Sequence, residues 1–382
     1  MDRLLRDLMP QVLGVLLRRG ADFASGEDAV QEAMIEAVRR WPGEWPDDPR
    51  GWLVTVAWRK YLDTARAASA RRAREERVVG HRPPGPTEQT DDTLRLLFLC
   101  CHPALGRPAQ VALTLRAVGG LSTAQIARAF LLPEATMAQR ISRAKRTVAK
   151  EGVGPRGDLR AVLKVLYLIF NEGYTGAVDL AAEAIRLTRM LARATDDPEV
   201  AGLLALMLLH HARRDARWAV DGSIVPLAEQ DRSRWDTRRI AEGVDILQTA
   251  LARQQVGEYQ AQAAIAALHC DAAAADETDW PQILQWYDEL LEHTTSPVVA
   301  MNRAVAVGEV QGPAEGLRAL DPVPAEVPRR AAVAAWLHER AGDRTAAARL
   351  YAEAAAASTN VPERDHLTRQ AARLRHEPPS GS

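Results

Sequence analysis

Between Gln139 and Lys150 stand five basic side chains, Arg140, Arg143, Lys145, Arg146 and Lys150, and no acid. Arginine and glutamine carry the donors that read base edges, and lysine and arginine neutralise phosphates. At helical spacing Thr136, Arg140 and Arg143 share one face, with Gln139 and Arg146 beside it. Met137, Ile141, Ala144 and Val148 recur at i, i+4, i+7 and i+11, which gives that helix an apolar back. An apolar back with a basic, amide-bearing front suits the major groove of DNA. A solvated amphipathic helix would look similar, and the residues upstream decide between the two.

Leu121–Arg146 reads as a helix-turn-helix. Ser122 caps a first helix and Gln125 stands where the second half of a capping box belongs. That helix, from Thr123 on, buries Ile126 and Ala129. Phe130–Leu132 make a short apolar turn, and Pro133, which lacks a backbone donor, opens the second helix.

Other reactive side chains cluster without forming a centre. Cys100-Cys101-His102, His210-His211 and His269-Cys270 are neighbours in sequence. On a helix such neighbours point about 100° apart, a poor chelate, so core packing is the better reading. No phosphate-binding Walker loop, dinucleotide glycine pattern or nucleophile elbow occurs, so no catalytic residue, metal or cofactor is assigned. Asp231 and Asp236 lie near Arg232, Arg234 and Trp235 and read as an ion-paired joint, with Asp231 on Arg234 or Arg238.

The elements that would carry these side chains are helical throughout. Aromatics are 5% of 382 residues, while Ala, Leu and Arg dominate, so the fold expected is all-α in two or three domains. The net charge of −1 hides an asymmetry. Residues 1–150 hold 24 Lys and Arg against 17 Asp and Glu, and the rest holds 25 against 33, so the halves carry +7 and −8. The front fits a polyanion; the rear should avoid one and could compete for the front. Three cysteines make no disulfide framework, and there is neither a signal peptide nor an apolar run near membrane length. A cytoplasmic protein without membrane contact is expected.

Leu4–Arg19 is amphipathic. Ser25 caps a following helix that carries Glu27, Asp28, Gln31, Glu32 and Glu36 as an acidic patch, with an apolar side of Ala29, Val30, Ala33, Ile35 at the edge, and Ala37. Trp41–Pro49 is a proline-rich loop containing Trp45. Asp48-Pro49 opens the next helix, Arg50–Ala68. There Trp58, Arg59, Lys60, Tyr61 and Arg66 interleave rings with cations, the composition that holds single-stranded DNA. Trp52 and Leu53 read as core; Trp58 and Tyr61 are open between base contact and packing. The polar, proline-rich stretch around 76–91 reads as a flexible linker, and a second helical domain begins near Asp92.

Asp28-Ala29-Val30-Gln31-Glu32, then Pro49-Arg50-Gly51-Trp52-Leu53 with Ala57 and Asp63, a linker, and the helix-turn-helix together resemble an extracytoplasmic-function sigma factor of the sigma-70 family. Leu97–Leu105 and Glu229–Leu247 resemble the subgroup with a C-terminal tetratricopeptide-like extension. The resemblance implies sigma region 2 at 1–75, region 4 at 92–150 and the extension at 158–375. It implies that Asp28, Gln31 and Glu32 meet the β′ clamp helices of core RNA polymerase, and that region 4 meets the β flap. It assigns Trp45, Trp58, Arg59, Lys60, Tyr61 and Arg66 to the promoter −10 element, and Thr123, Thr136, Gln139, Arg140, Arg143 and Arg146 to the −35 element. Trp58-Arg59 departs from the Arg-Asn that many members carry there. The rival reading is a helix-turn-helix regulator with a peptide-sensing domain that acts without core polymerase.

The tail continues as helices: Arg160–Asn171, Val178–Ala194, Glu199–Arg213, Thr237–Arg253, Tyr259–Ala272, Trp280–Thr294, then two helix pairs. In the last pair Gly342, Ala347, Tyr351 and Ala354 follow the small–small–aromatic–small spacing of a tetratricopeptide repeat. Such hairpins stack to bury their apolar faces and leave a groove for a protein or peptide ligand or for the chain's own front domains, so the tail either regulates the front or braces it.

Overall fold

A computed structural model of the chain describes residues 1–72, 93–151, 158–173, 179–219 and 222–376. The expected linker at 76–91 lies outside the described residues. Among those described, all regular structure is helical, apart from one isolated bridge between Trp218 and Ile224. The chain divides into two compact units, Met1–Asp196 and Asp197–Ser382.

The first unit contains α1 (Asp2–Arg18), α2 (Phe23–Arg40), α3 (Pro49–Arg72), α4 (Thr93–Cys100), α5 (Arg107–Ala117), α6 (Thr123–Ala129), α7 (Glu134–Glu151), α8 (Leu159–Glu172) and α9 (Leu180–Ala194). Met9, Val12, Leu13 and Leu16 of α1 are fully buried against Val30, Ala33 and Ala37 of α2 and Leu53 and Ala57 of α3. Pro10 lies inside α1 and removes a helical hydrogen bond, at about 3 kcal/mol. Burial of the large α1 side chains, about 1.5–3 kcal/mol each, outweighs that cost.

Two details depart from the sequence reading. The cap of α2 is Asp22, whose carboxylate accepts the Ser25 N–H at 2.9 Å, so Ser25 lies one turn inside the helix. Starting earlier lets Phe23 join the core at 5% exposure. Second, beside the expected domains 1–75, 92–150 and 158–375, the compact units group α8 and α9 with the front. The reason is apolar: Val162, Leu163, Leu166, Ile169 and Phe170 of α8 are buried, and α8 packs on α4 and α5 while α9 packs on α4. Asp48 opens α3 as expected, accepting the Gly51 N–H at 2.9 Å.

The second unit contains α10 (Pro198–Ala212), α11 (Thr237–Leu251), α12 (Glu258–Asp271), α13 (Trp280–His293), α14 (Pro297–Gln311), α15 (Pro313–Leu320), α16 (Arg330–Arg340), α17 (Arg344–Ala357) and α18 (Val361–His376). Leu203–Leu209 of α10 is buried on every side, and α11 and α12 both pack on it. Glu199 caps α12 from a distance, accepting the Tyr259 N–H at 2.9 Å and the Gln260 N–H at 3.0 Å. Gly202 permits that approach: a Cβ there would stand 2.7 Å from the Gln260 backbone nitrogen. Farther on, successive helices pair as hairpins. Gly342 turns the chain at φ +83°, Asp343 caps α17, and Ala347, Tyr351 and Ala354 are buried with Leu367, Ala371 and Leu374 of α18.

Candidate nucleic-acid interface

The helix-turn-helix forms as its residues require. Ser122 Oγ accepts the Gln125 N–H at 3.2 Å, and Gln125 Oε1 accepts the Ser122 N–H at 2.8 Å, closing the capping box. Met137, Ile141, Ala144 and Val148 are buried, while Thr136, Gln139, Arg143 and Arg146 are exposed. Arg140 and Thr123 are half-buried at the edge of the same surface. The turn exposes Leu131 at 83% and holds it at φ +50°.

Lys145 does not join that surface. Its ammonium turns inward and pairs with Glu27 of α2, and it donates to Asp28 Oδ1 at 2.6 Å. Glu27 is fully buried, and its second cation is Arg116 of α5, with Nε 2.9 Å from Oε1. Arg116 also donates to the Leu121 carbonyl at 3.3 Å, just before the capping box. A buried carboxylate is tolerable only when its charge is compensated, and here two cations, one from α5 and one from α7, form ion pairs with one acid of α2. Sequence reading counted Lys145 among the basic front and Glu27 among an exposed acidic face. The overlooked signal is spacing: Lys145 follows Ile141 by four residues and so stands on the rim of the buried stripe.

The remaining α2 residues singled out are more open. Gln31 is half-buried and donates to Met9 Sδ at 3.3 Å. Glu32 is exposed and pairs with Lys60 of α3 at 3.5 Å, and Lys60 also reaches Glu36 at 3.2 Å. A groove of about 300 Å³ beside Gln31, between α1, α2 and the turn before α6, is lined by Met9, Met34, Ile35 and Val38. Ile35 and Val38 are 52% and 45% exposed. This apolar strip, bordered by Arg6, Arg39 and Gln31, is the type of surface that a partner covers.

On α3, Leu53 is buried as expected, while Trp52 is half-buried, edge-on to the buried Trp41 at 5.7 Å. Trp45 leans on Trp41 at 5.0 Å and stays 54% exposed. Trp58 and Tyr61 stack on each other at 5.3 Å and 30°, with the Arg19 guanidinium 5.6 Å over Trp58. Burial, with the Asp22 charge next, raises the Tyr61 phenol, so it stays a neutral donor. Arg59 and Arg66 are exposed. The stacked pair is half-buried against its own neighbours.

Arg186 of α9 ties these surfaces together. Its guanidinium donates to Glu183 at 2.6 and 3.1 Å, to Asp7 of α1 at 2.7 Å, and to the Val118 and Gly119 carbonyls after α5 at 3.5 Å. Burial acts to lower its pKa, and Glu183 and Asp7 overcome that, leaving it raised. The reactive clusters elsewhere are packed. Burial, helped by Cys101 and Glu27, pushes the Cys100 thiol up, and burial pushes Cys101 up to about 12. His102 is tucked in, with Nδ1 accepting the Ala104 N–H. Asp231 is a cap for Ser233, while Arg234 donates to the Asp215 carbonyl. No helix among the described residues is long and apolar enough to cross a membrane.

Residues 4–71 match the model of sigma-70 region 2, and residues 95–148 match that of sigma-70 region 4. Residues 158–251 match a family of unknown function, DUF6596, which therefore begins at α8. An uncharacterised protein of Rhizobium meliloti (strain 1021) is 42% identical over 342 residues, covering 82% of this chain and 81% of its own length. A probable ECF RNA polymerase sigma factor, SigI, of Mycobacterium tuberculosis is 28% identical over 196 residues, covering 44% of this chain and 66% of its own length. No solved structure matches the chain. With sigma-70 region 2 at 4–71 and region 4 at 95–148, the chain is an RNA polymerase sigma factor of the sigma-70 family, similar to the extracytoplasmic-function type and followed by a helical C-terminal part.

Proposed function

We propose that the first unit is the resting, closed form of this sigma factor, and that it opens on core polymerase. Asp28, Gln31 and Glu32, with the apolar strip of Ile35 and Val38, meet the β′ clamp helices, and region 4 meets the β flap. Trp45, Trp58, Arg59, Lys60, Tyr61 and Arg66 open and hold the −10 element. Thr123, Thr136, Gln139, Arg140, Arg143 and Arg146 grip the −35 element. The protein makes and breaks no covalent bond; it works in the cytoplasm by lending sequence specificity to its catalytic partner. The extension holds the closed form through α8 and α9, and its second unit takes a ligand that regulates opening.

The observation that supports this most is the Lys145–Asp28 pair, with Glu27 buried behind it. The promoter elements lie about 25 base pairs apart, ~85 Å of duplex at 3.4 Å per pair. A unit in which α2 and α7 are in hydrogen-bond contact cannot occupy both. The test is transcription in vitro with core polymerase and fragmented host genomic DNA, mapping the transcript starts. Discrete starts sharing two spaced upstream elements, present only with this protein, are expected from the full chain or, if the extension restrains it, from an Arg186→Met variant. Their absence from both would refute the reading.

A further inference from the structure

The turn of the helix-turn-helix is made on a residue that its backbone does not favour. After α6 the Leu131 N–H donates to the Arg128 carbonyl at 3.2 Å, and the Leu132 N–H donates to the Ala127 carbonyl at 2.9 Å. This pair of bonds closes a helix by holding the residue after the cap in the left-handed region, where glycine is the usual occupant. Two other helices of the chain close with the same pair of bonds, and both use glycine: Gly20 after α1, at φ +89°, and Gly342 after α16, at φ +83°. Leu131 takes the position at φ +50° with a bulky apolar side chain. Burial does not offset that strain, because Leu131 is 83% exposed, whereas the half-buried Leu132 follows it toward the core. A side chain that is strained in the backbone and gains nothing from the core has its use outside the fold. Its surroundings say where. Leu131 stands just before α7, and the N-terminal residues of such a second helix reach base edges in the major groove. Between Arg128 and Arg146 the only acid is Glu134, while Arg128, Arg143 and Arg146 are exposed. Such a surface takes up a polyanion, and the apolar group that a major groove offers is the methyl of thymine.

We infer that Leu131 is a specificity-determining residue of this protein, and that it packs on the methyl group of one thymine in the −35 element. The polar residues of α7 supply hydrogen bonds to base edges and phosphates, and Leu131 adds an apolar contact that cytosine, guanine and adenine do not offer. The rigid helix end fixes where that contact falls, so it selects one position of the element. This inference rests on the proposed grip of the helix-turn-helix on the −35 element and adds a reader that lies in the turn, outside the recognition helix.

The test uses holoenzyme made from the full chain and core polymerase, on a promoter identified by its transcript starts. Each thymine of the −35 element is replaced in turn by deoxyuridine, which removes the methyl and leaves the hydrogen-bonding edge intact. Wild-type binding should fall about fourfold at one position, the burial of one methyl group. Leu131→Gly suits the left-handed backbone and keeps the turn, and its binding should not distinguish thymine from deoxyuridine at that position. Leu131→Met keeps an apolar side chain and should retain part of the difference. Each comparison is made within one variant, so altered folding or polymerase binding cancels. A −35 element that selects no thymine, wild-type binding indifferent to every replacement, or the same fourfold fall in Leu131→Gly each overturns the inference. A loss in Leu131→Gly that is equal on thymine and deoxyuridine also overturns it and points to a protein contact. Those results leave the sigma-factor reading intact, whereas the absence of any protein-dependent transcript start overturns both.

Discussion

Lys145→Met removes one charge from the closed contact and keeps the apolar stem. The Lys145 side chain is 10% exposed and Glu27 is fully buried, so solvent screens their attraction little. Close contacts between charged groups of this kind contribute about 1.5–3 kcal/mol. Stripping a buried carboxylate of its only partner costs about 3–5 kcal/mol, but Arg116 remains on Glu27, so the lower range applies. The Asp28 part adds little, because that carboxylate is 67% exposed. In an open form all these groups are hydrated, so the substitution shifts the opening equilibrium by about 1.5–3 kcal/mol, roughly 10- to 150-fold. Apparent affinity for core polymerase scales with the open fraction and should rise by up to that factor until the open form dominates. Fluorescence anisotropy of labelled full-length protein with core polymerase measures it, with circular dichroism as a check of folding. Glu27→Gln leaves two cations around a neutral amide and should open the unit further. The double substitution should be less than additive. Unchanged or weaker polymerase binding by a folded Lys145→Met would refute the reasoning.

Three further outcomes are expected. Arg140→Ala should weaken −35 recognition by about 1–3 kcal/mol and relax preference at one or two bases, read by competition binding on randomised sites; unchanged preference would remove Arg140 as a reader. Arg186→Met should loosen the first unit, seen as faster hydrogen exchange in α1, α5 and α9, because one guanidinium serves all three. His210 and His269 are both depressed, to about 3 and about 4, first by burial and then by neighbouring arginines. The unfolded chain then takes up protons below about pH 6.5 while the folded second unit does not, so stability is full above that pH and falls as the pH drops toward 4. Thermal melts at pH 7.5 and 5.5 should show the loss, and His210→Gln should reduce the slope.

Sequence revealed what is local. The Ser122–Gln125 box and the Met137–Val148 stripe depend on residues within a few turns of each other, and the structure forms both as read. The last hairpin was legible for the same reason, since Gly342, Ala347, Tyr351 and Ala354 encode one turn and one packed face. What escaped was long-range or competitive. Lys145 and Asp28 are 117 residues apart, and no periodicity links them. Asp22 and Ser25 both suit a helix start, and burial of Phe23 decided for the earlier one. The α8 stripe was legible, but not that α4 and α5 cover it. The polar helix α18 carries only Leu367, Ala371 and Leu374 as its inward signal.

The central claim is that regions 2 and 4 are held together in the free protein and part on the promoter. The direct measurement is the distance between spin labels at Thr55→Cys on α3 and Ser142→Cys on α7, by pulsed electron paramagnetic resonance. A Cys270→Ser background serves, because burial keeps Cys100 and Cys101 protonated and unreactive. A single short distance in the free chain, lengthening by tens of ångströms with core polymerase and promoter DNA to span the ~85 Å between elements, is the predicted result. The same distance distribution in the free chain and in the transcribing complex would contradict it.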